Sequence, residues 1–276
     1  MIGAITHISN LDLPGLQPYR TLQRQQNHRD QGIFVSEGEK VVRRLFESAL
    51  TIVSILLTPD QLDDYRGILE GRNESINVFV SPQEVLTGIV GYNFHRGIMA
   101  LAKVPAPLSL NDAVSHARRP RLLVALDNIG SAENLGVIVR NCAACSADAL
   151  IVGETSADPY LRRAVRNSMG TVFRLPVVYA ENLRDSLQTL RSQHECKVLA
   201  AHPRPGSVAI NHADLRGDCC VVLGHEDSGI SASILSACDS CITIPMAAGI
   251  DSFNVACASA VILYEVRRQR GPVERS

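Results

Sequence analysis

The sequence predicts an α/β protein: a parallel sheet covered by helices in the larger, carboxyl-terminal part, preceded by a small α/β domain. Three observations predict it. Apolar runs of strand length alternate along the chain with segments of helical period. In the second half several runs, such as Val221-Val222-Leu223, are apolar at consecutive positions, as strands buried on both faces must be. Between the halves, Pro105-Ala106-Pro107 stops an apolar run and reads as a stiff link. The expected division is a domain over 1–105, a linker over 106–120 and a second domain over 121–276.

In the first domain, 32–35, 52–57, 76–80 and 97–104 read as strands. Apolar residues at 41, 42, 45, 46 and 49 give 39–49 a helical period, and Ser81-Pro82-Gln83-Glu84 opens a short helix. Asn93-Phe94-His95-Arg96 stands just before the last strand. In the second domain the strand candidates are 122–126, 148–152, 175–178, 196–201, 220–224 and 241–244. Helix candidates are 134–145, 159–168, 181–191, 230–237 and 252–268. Ligand sites of parallel sheets lie at the carboxyl ends of strands, so the loops that leave those ends matter most.

Composition narrows the function classes. Lys and Arg number 27 against 28 Asp and Glu, which argues against coating nucleic acid by bulk charge but leaves room for a local basic patch. There is no eighteen-residue apolar stretch and no secretory-type start, so no membrane partner is expected and the expected location is cytoplasmic. The eight cysteines read as small apolar fillers. Cys142-x-x-Cys145 and Cys238-x-x-Cys241 have knuckle spacing, but small neighbours and strand packing explain both, and no metal is expected. G-x-G-x-x-G after a strand, the P-loop pattern and a G-x-S-x-G elbow are all absent.

Three loops carry polar content. The first is Asp127-Asn-Ile-Gly-Ser-Ala-Glu-Asn134, where Asn134 reads as a helix cap, followed by Arg140. Six residues are about 600° of helix, so the two need not share a face; a cap plus a surface arginine accounts for the loop equally well. The second holds Arg162, Arg163, Arg166 and Arg174 with no acid between Asp158 and Glu181. Guanidinium forks suit phosphate oxygens, with a solvated helix face as the alternative. The third runs Leu223-Gly224-His225-Glu226-Asp227-Ser228-Gly229, continues at Ile244-Pro245-Met246 and ends at Ser252-Phe253-Asn254. Two glycines around an acid at a strand end mark a tight turn or a close ligand approach, or an acid that accepts backbone N–H groups.

Together, N134-L-G-V-I-V-R140, R166-N-S-M-G170, L223-G-H-E226-D-S-G229, I244-P-M246 and S252-F-N254-V resemble the SpoU (TrmH-like) family of RNA ribose 2'-O-methyltransferases. They occur in the family's order over about 120–265, and 1–105 resembles the RNA-binding domain that often precedes this unit, notably at F34-V-S-E37-G38 and H95-R96-G97. The resemblance implies a deep trefoil knot in the second domain, S-adenosylmethionine bound bent in the knotted loops, and a homodimer whose subunits face each other at the site. It implies donor contacts at Leu223, Gly224, Gly229, Ile244, Met246 and Phe253. Catalytic roles would fall to Arg140, Asn134, Glu226, Ser252 and Asn254, and RNA contacts to Arg162, Arg163, Arg166, Ser168, Arg174, His95 and Arg96. Phe253 stands where the family usually has Leu, His225 where a small or amide residue is common, and Thr171 where Ala is frequent.

A sulfonium donor already carries an electrophilic methyl group, so the chain's task is to align a ribose oxygen and help it lose its proton. The resemblance assigns that help to Arg140. Guanidinium groups hold their protons, which favours holding a phosphate and stabilising a developing oxyanion. Asn134 would position ribose or a loop, and Glu226 would brace Asn134, Arg140 or the knot loops. The substrate is expected to be rRNA or tRNA. Two other readings stand beside this one: a knotted RNA nucleobase methyltransferase, separable by where the methyl goes on digestion, and a catalytically silent RNA-binding assembly protein, which would bind RNA but not the donor.

Overall fold

The computed structural model describes residues 2–22, 25–90 and 97–271. Along the chain run β1 (Ile2–His7), α1 (Gln17–Arg20), α2 (Gln25–Asp30), β2 (Ile33–Glu37), α3 (Glu39–Phe46), β3 (Ile52–Leu57), α4 (Pro59–Glu70), β4 (Ile76–Val80), α5 (Gln83–Val90) and β5 (Ile98–Lys103). There follow α6 (Leu110–His116), β6 (Leu122–Asp127), α7 (Ala132–Ala144), β7 (Ala149–Val152), α8 (Arg162–Asn167), β8 (Val177–Tyr179) and α9 (Leu183–His194). Then come β9 (Lys197–Ala201), β10 (Val208–Ala209), β11 (Cys219–Gly224), α10 (Ala232–Leu235), β12 (Ser240–Thr243) and α11 (Val255–Arg270).

The elements form two compact units, one of residues 1–106 with 160–173, the other of 107–159 with 174–276. The first unit holds a mixed sheet in the order β1-β4-β3-β5-β2, with β5 antiparallel to both β3 and β2. Its helix α3 buries Val41, Val42, Leu45 and Phe46, the face its spacing predicts. The sequence reading missed β1, an edge strand whose side chains are mostly exposed, and α4, whose buried Leu62, Tyr65 and Leu69 are interrupted by acids.

The second unit holds a seven-stranded sheet in the order β10-β12-β9-β11-β6-β7-β8, parallel at every pairing. Every residue of β6, β7 and β11 is buried, which is why their sequences are apolar at consecutive positions. Two expectations need correction. The stretch 106–120, expected to be a linker, carries α6, capped by Ser109 accepting the Asp112 N–H at 3.1 Å and burying Ala113 and Val114 in the sheet's core. The segment 160–173, expected in the second domain, belongs to the first unit. Its aromatic and charged partners are there: Phe34 lies against Tyr160 and Phe173, and Glu37 pairs with Arg162.

The cysteines pack. Burial pushes the Cys238 thiol up to about 12 and the Cys220 thiol well above the ordinary range. Among the described residues no group of three or more His, Cys, Asp or Glu side chains is placed to hold a metal ion. No helix of the described residues is long and apolar enough to cross a membrane.

Arg270 closes α11 onto the start of the sheet, donating to the carbonyls of Pro120, Arg121, Leu215 and Gly217. Arg270→Ala strands those acceptors and is expected to cost about 2 kcal/mol. Thermal denaturation should show a midpoint lowered by about 6 °C; an unchanged midpoint contradicts this role.

Candidate active site

Because the strands of the second sheet all run the same way, their carboxyl ends share one edge. At its centre β6 and β11 are neighbours, with Gly224 paired to Asp127. The Asp127 carboxylate accepts the Ser231 N–H at 2.7 Å and so ties the loop after β11 to the end of β6. That loop turns tightly: His225 and Gly229 exchange both backbone hydrogen bonds at 3.0 Å, and Gly229 has φ 69. A Cβ on Gly224 would sit 2.5 Å from the Gly229 carbonyl carbon and the Ile230 nitrogen, so only glycine closes this turn. His225 serves the loop as well, its Nδ1 accepting the Asp227 and Ser228 N–H groups at 3.1 and 3.3 Å.

A chain of side-chain amides joins three distant segments. Asn254 caps α11, its Oδ1 accepting the Ala256 N–H at 2.9 Å. This leaves its Nδ2 to donate to Asn134 Oδ1 at 3.3 Å, and Asn134 Nδ2 then donates to Glu226 Oε1 at 2.6 Å. One backbone donor therefore sets the polarity of the whole chain, and the charge-assisted end is its short bond. Asn134 is free for this because it is not the cap of α7, as the sequence reading had it; Ser131 is, accepting the Asn134 N–H at 3.2 Å.

Beside this chain lies a cavity of about 280 Å³. All six expected donor contacts, Leu223, Gly224, Gly229, Ile244, Met246 and Phe253, line it, together with Glu226 and Ser252. Apolar walls meet the carboxylates of Glu226, Asp227 and Asp251, a lining suited to a flat apolar group carrying positive charge. Sequence reasoning missed Asp251 and the end of β9, where His202 and Pro203 also line the cavity. The strand-end rule that singled out the other loops points there too, since polar residues follow Ala201 directly.

Arg140 does not line this cavity; its side chain is exposed and, among the described residues, has no hydrogen-bond or ion-pair partner. Its neighbour Asn141 faces inward and donates to Ala256 O and Ser259 Oγ, both at 2.9 Å, which anchors α7 to α11. The expected RNA contacts divide. Arg163 and Arg174 are exposed. Arg162 is largely buried against Glu37 and Arg166 half exposed beside it. Ser168 is a correction: it is fully buried, and its hydroxyl donates to Val165 O and accepts the Gly170 N–H, closing a turn instead of facing a ligand. His95 and Arg96 lie outside the described residues.

Gly224→Ala is expected to destabilise the second unit by about 2 kcal/mol or more, because backbone atoms cannot give way as side-chain ends do. Gly217→Ala, with nothing within 4 Å of the added carbon, is the control and should leave the unfolding midpoint nearly unchanged. Equal midpoints for the two variants contradict the turn argument.

Residues 121–264 match the SpoU rRNA Methylase family. An uncharacterized tRNA/rRNA methyltransferase of Mycobacterium bovis is 30% identical, the match covering 96% of this chain and 92% of that protein. The SpoU methyltransferase AviRb from Streptomyces viridochromogenes superposes with TM-score 0.79 at 26% identity, covering 92% of this chain and 96% of AviRb. An AdoMet-bound rRNA methyltransferase from Sinorhizobium meliloti shares the fold at TM-score 0.82, 24% identical over 96% of this chain and 98% of that one. With the cavity-forming loops inside the matched span and relatives aligned over nearly the whole length, this chain belongs to the SpoU rRNA methylase family of RNA methyltransferases.

Proposed function

We propose that the protein transfers a methyl group from S-adenosylmethionine to a ribose 2'-hydroxyl of ribosomal or transfer RNA, acting as a homodimer. The observation that carries this reading is the cavity at the sheet edge, apolar on its walls, acidic at Glu226, Asp227 and Asp251, and joined through Glu226 to the Asn134 and Asn254 amides. Support for the donor comes from a relative: AviRb, 25% identical in that structure, is known in complex with AdoMet. Support for ribose as the acceptor comes from the motif set around Asn134, Arg140, Glu226 and Asn254.

When bound, S-adenosylmethionine supplies a methyl group already activated by its positive sulfur. The chain's residues do the rest. Leu223, Ile244, Met246 and Phe253 offer the apolar surface for a purine, and the nearby carboxylates favour positive charge. Glu226 holds Asn134 so that the sheet-edge loop and the start of α7 keep one geometry. Arg140 is assigned the acceptor side, holding the phosphate next to the target ribose and stabilising charge that develops on the 2'-oxygen. The proton goes to phosphate or water.

Arg140 does not line its own chain's cavity, so the reading places two copies at each site. Ile250, Phe253, Val261 and Tyr264 are exposed apolar residues around the start and along one side of α11, the kind of surface a second copy covers. The reading also takes the carboxyl-terminal stretch as a trefoil knot; β12 between β9 and β10, with α11 returning to α7, supports such a path.

The test uses purified protein, unmodified transcripts and labelled donor. Wild type is expected to label RNA, and complete digestion should leave the label on the sugar; label on the base overturns the ribose assignment. Arg140→Ala should lower turnover by roughly 10²–10³-fold, as loss of an oxyanion-stabilising group does, while donor affinity stays within about twofold. Near wild-type turnover contradicts the role of Arg140. Arg166→Ala is expected to weaken RNA binding and reduce the salt slope by about one; an unchanged slope argues against a phosphate contact there.

A further inference from the structure

His202 follows β9 directly, and its backbone is fixed on both sides. Its N–H donates to Ile242 O at 3.0 Å, and its carbonyl accepts the Ser207 hydroxyl at 2.9 Å. The chain then turns on itself, the Ser207 N–H reaching Arg204 O at 3.0 Å and the Arg204 N–H reaching Ser207 Oγ at 3.2 Å. His202 lines the cavity, and its ring packs on Gly229: a Cβ added to that glycine would meet Nδ1 at 3.2 Å and Cε1 at 3.3 Å. The Nδ1–Cε1 edge thus lies against the backbone of the 224–229 turn, which leaves Nε2 as the nitrogen for a ligand. Among the described residues the ring makes no hydrogen bond or ion pair.

The other imidazole on the cavity wall is committed to its own loop, where His225 Nδ1 accepts two backbone N–H groups. The place of His202 in the sheet indicates what it meets. Strand β9 lies between β11 and β12. On one side the loop after β11 brings Glu226 and Asp227 to the cavity, and on the other β12 leads into Ile244 and Met246. In a cavity that takes S-adenosylmethionine, the carboxylates favour the end carrying the sulfonium and ammonium, and the apolar side chains favour the purine. The donor's ribose joins those two parts covalently, so a group standing between the two walls faces the ribose. A neutral imidazole nitrogen donates or accepts according to tautomer, and a hydroxyl answers either.

We propose that His202 binds the ribose of the donor: Nε2 pairs with one of its two vicinal hydroxyls, while Gly229 and Ser207 hold the residue in place. The inference rests on the reading of the cavity as the S-adenosylmethionine site and adds to it a binding residue on the loop after β9. Gly229 then has two reasons to be glycine, its φ of 69 and the ring that lies on it. The competing partner for an imidazole is the donor's own carboxylate, which lies beyond the sulfur at the amino-acid end. Ligands that lack one group or the other separate the two.

Calorimetric titration of the full-length protein tests it with S-adenosylhomocysteine, its 2'-deoxy and 3'-deoxy forms, and 5'-methylthioadenosine, which keeps the ribose but lacks the amino-acid end. Wild type should bind one of the deoxy forms about tenfold more weakly than the parent, as loss of one hydrogen bond does. H202F keeps a ring on Gly229 but removes both nitrogens. It should bind S-adenosylhomocysteine and 5'-methylthioadenosine each about tenfold more weakly than wild type does, and should no longer distinguish the deoxy forms from the parent. H202Q, which offers an amide at similar reach, should recover most of the loss. Equal binding of the parent and both deoxy forms by wild type overturns the proposal, as does a deoxy penalty that persists in H202F. A loss in H202F confined to S-adenosylhomocysteine assigns His202 to the amino-acid end and overturns it too. So does an equal loss in H202Q, which would make ring packing the cause. Failure of wild type to bind any of these ligands sinks the reading of the cavity itself.

Discussion

The candidate site depends on one short run of hydrogen bonds, from the Ala256 N–H through Asn254 and Asn134 to Glu226. Each of those three side chains comes from a different part of the chain, and none is near another in sequence. Asparagine suits the two middle positions because its amide both accepts and donates. The direction is imposed by a backbone group that cannot reverse, so Glu226 always receives a donor and its carboxylate is held at the cavity wall. Breaking any member frees a loop.

The sheet makes that run possible. Parallel pairing brings Gly224 level with Asp127, and the glycine turn from 224 to 229 then places Glu226 within reach of the start of α7. On the far side, the Asn141 amide holds α7 against α11, which keeps Asn254 near Asn134. The first unit solves a different problem with different groups. There, a buried carboxylate, a stacked phenylalanine and an arginine on a carbonyl hold a segment whose chain neighbours on both sides belong to the other unit.

Much of this was legible in the sequence. The buried parallel strands announce themselves by consecutive apolar residues, and all six expected donor contacts share one cavity because strand ends in a parallel sheet must converge. What escaped did so for physical reasons. Helix α6 is short, and only Ala113 and Val114 are buried among its polar residues, so 106–120 looked like a tether. Asn134 was read as a cap because a side-chain amide next to a helix start fits that role; Ser131, three residues earlier, fits it as well, and sequence alone does not rank them. The arginine-rich segment looked uniformly basic and exposed. Only the fold reveals that one buried carboxylate, more than a hundred residues away, has taken up Arg162 and part of Arg166.

Asn134→Asp tests the central claim most directly, since it keeps size and shape but turns the donor facing Glu226 into a second acceptor. Titration with S-adenosylmethionine near neutral pH should show donor affinity falling by about tenfold or more, with affinity recovering on acidification as one proton becomes shared between the two carboxyl groups. A variant that binds the donor as wild type does at neutral pH, with no dependence on acidification, would show that the amide run does not hold the site together.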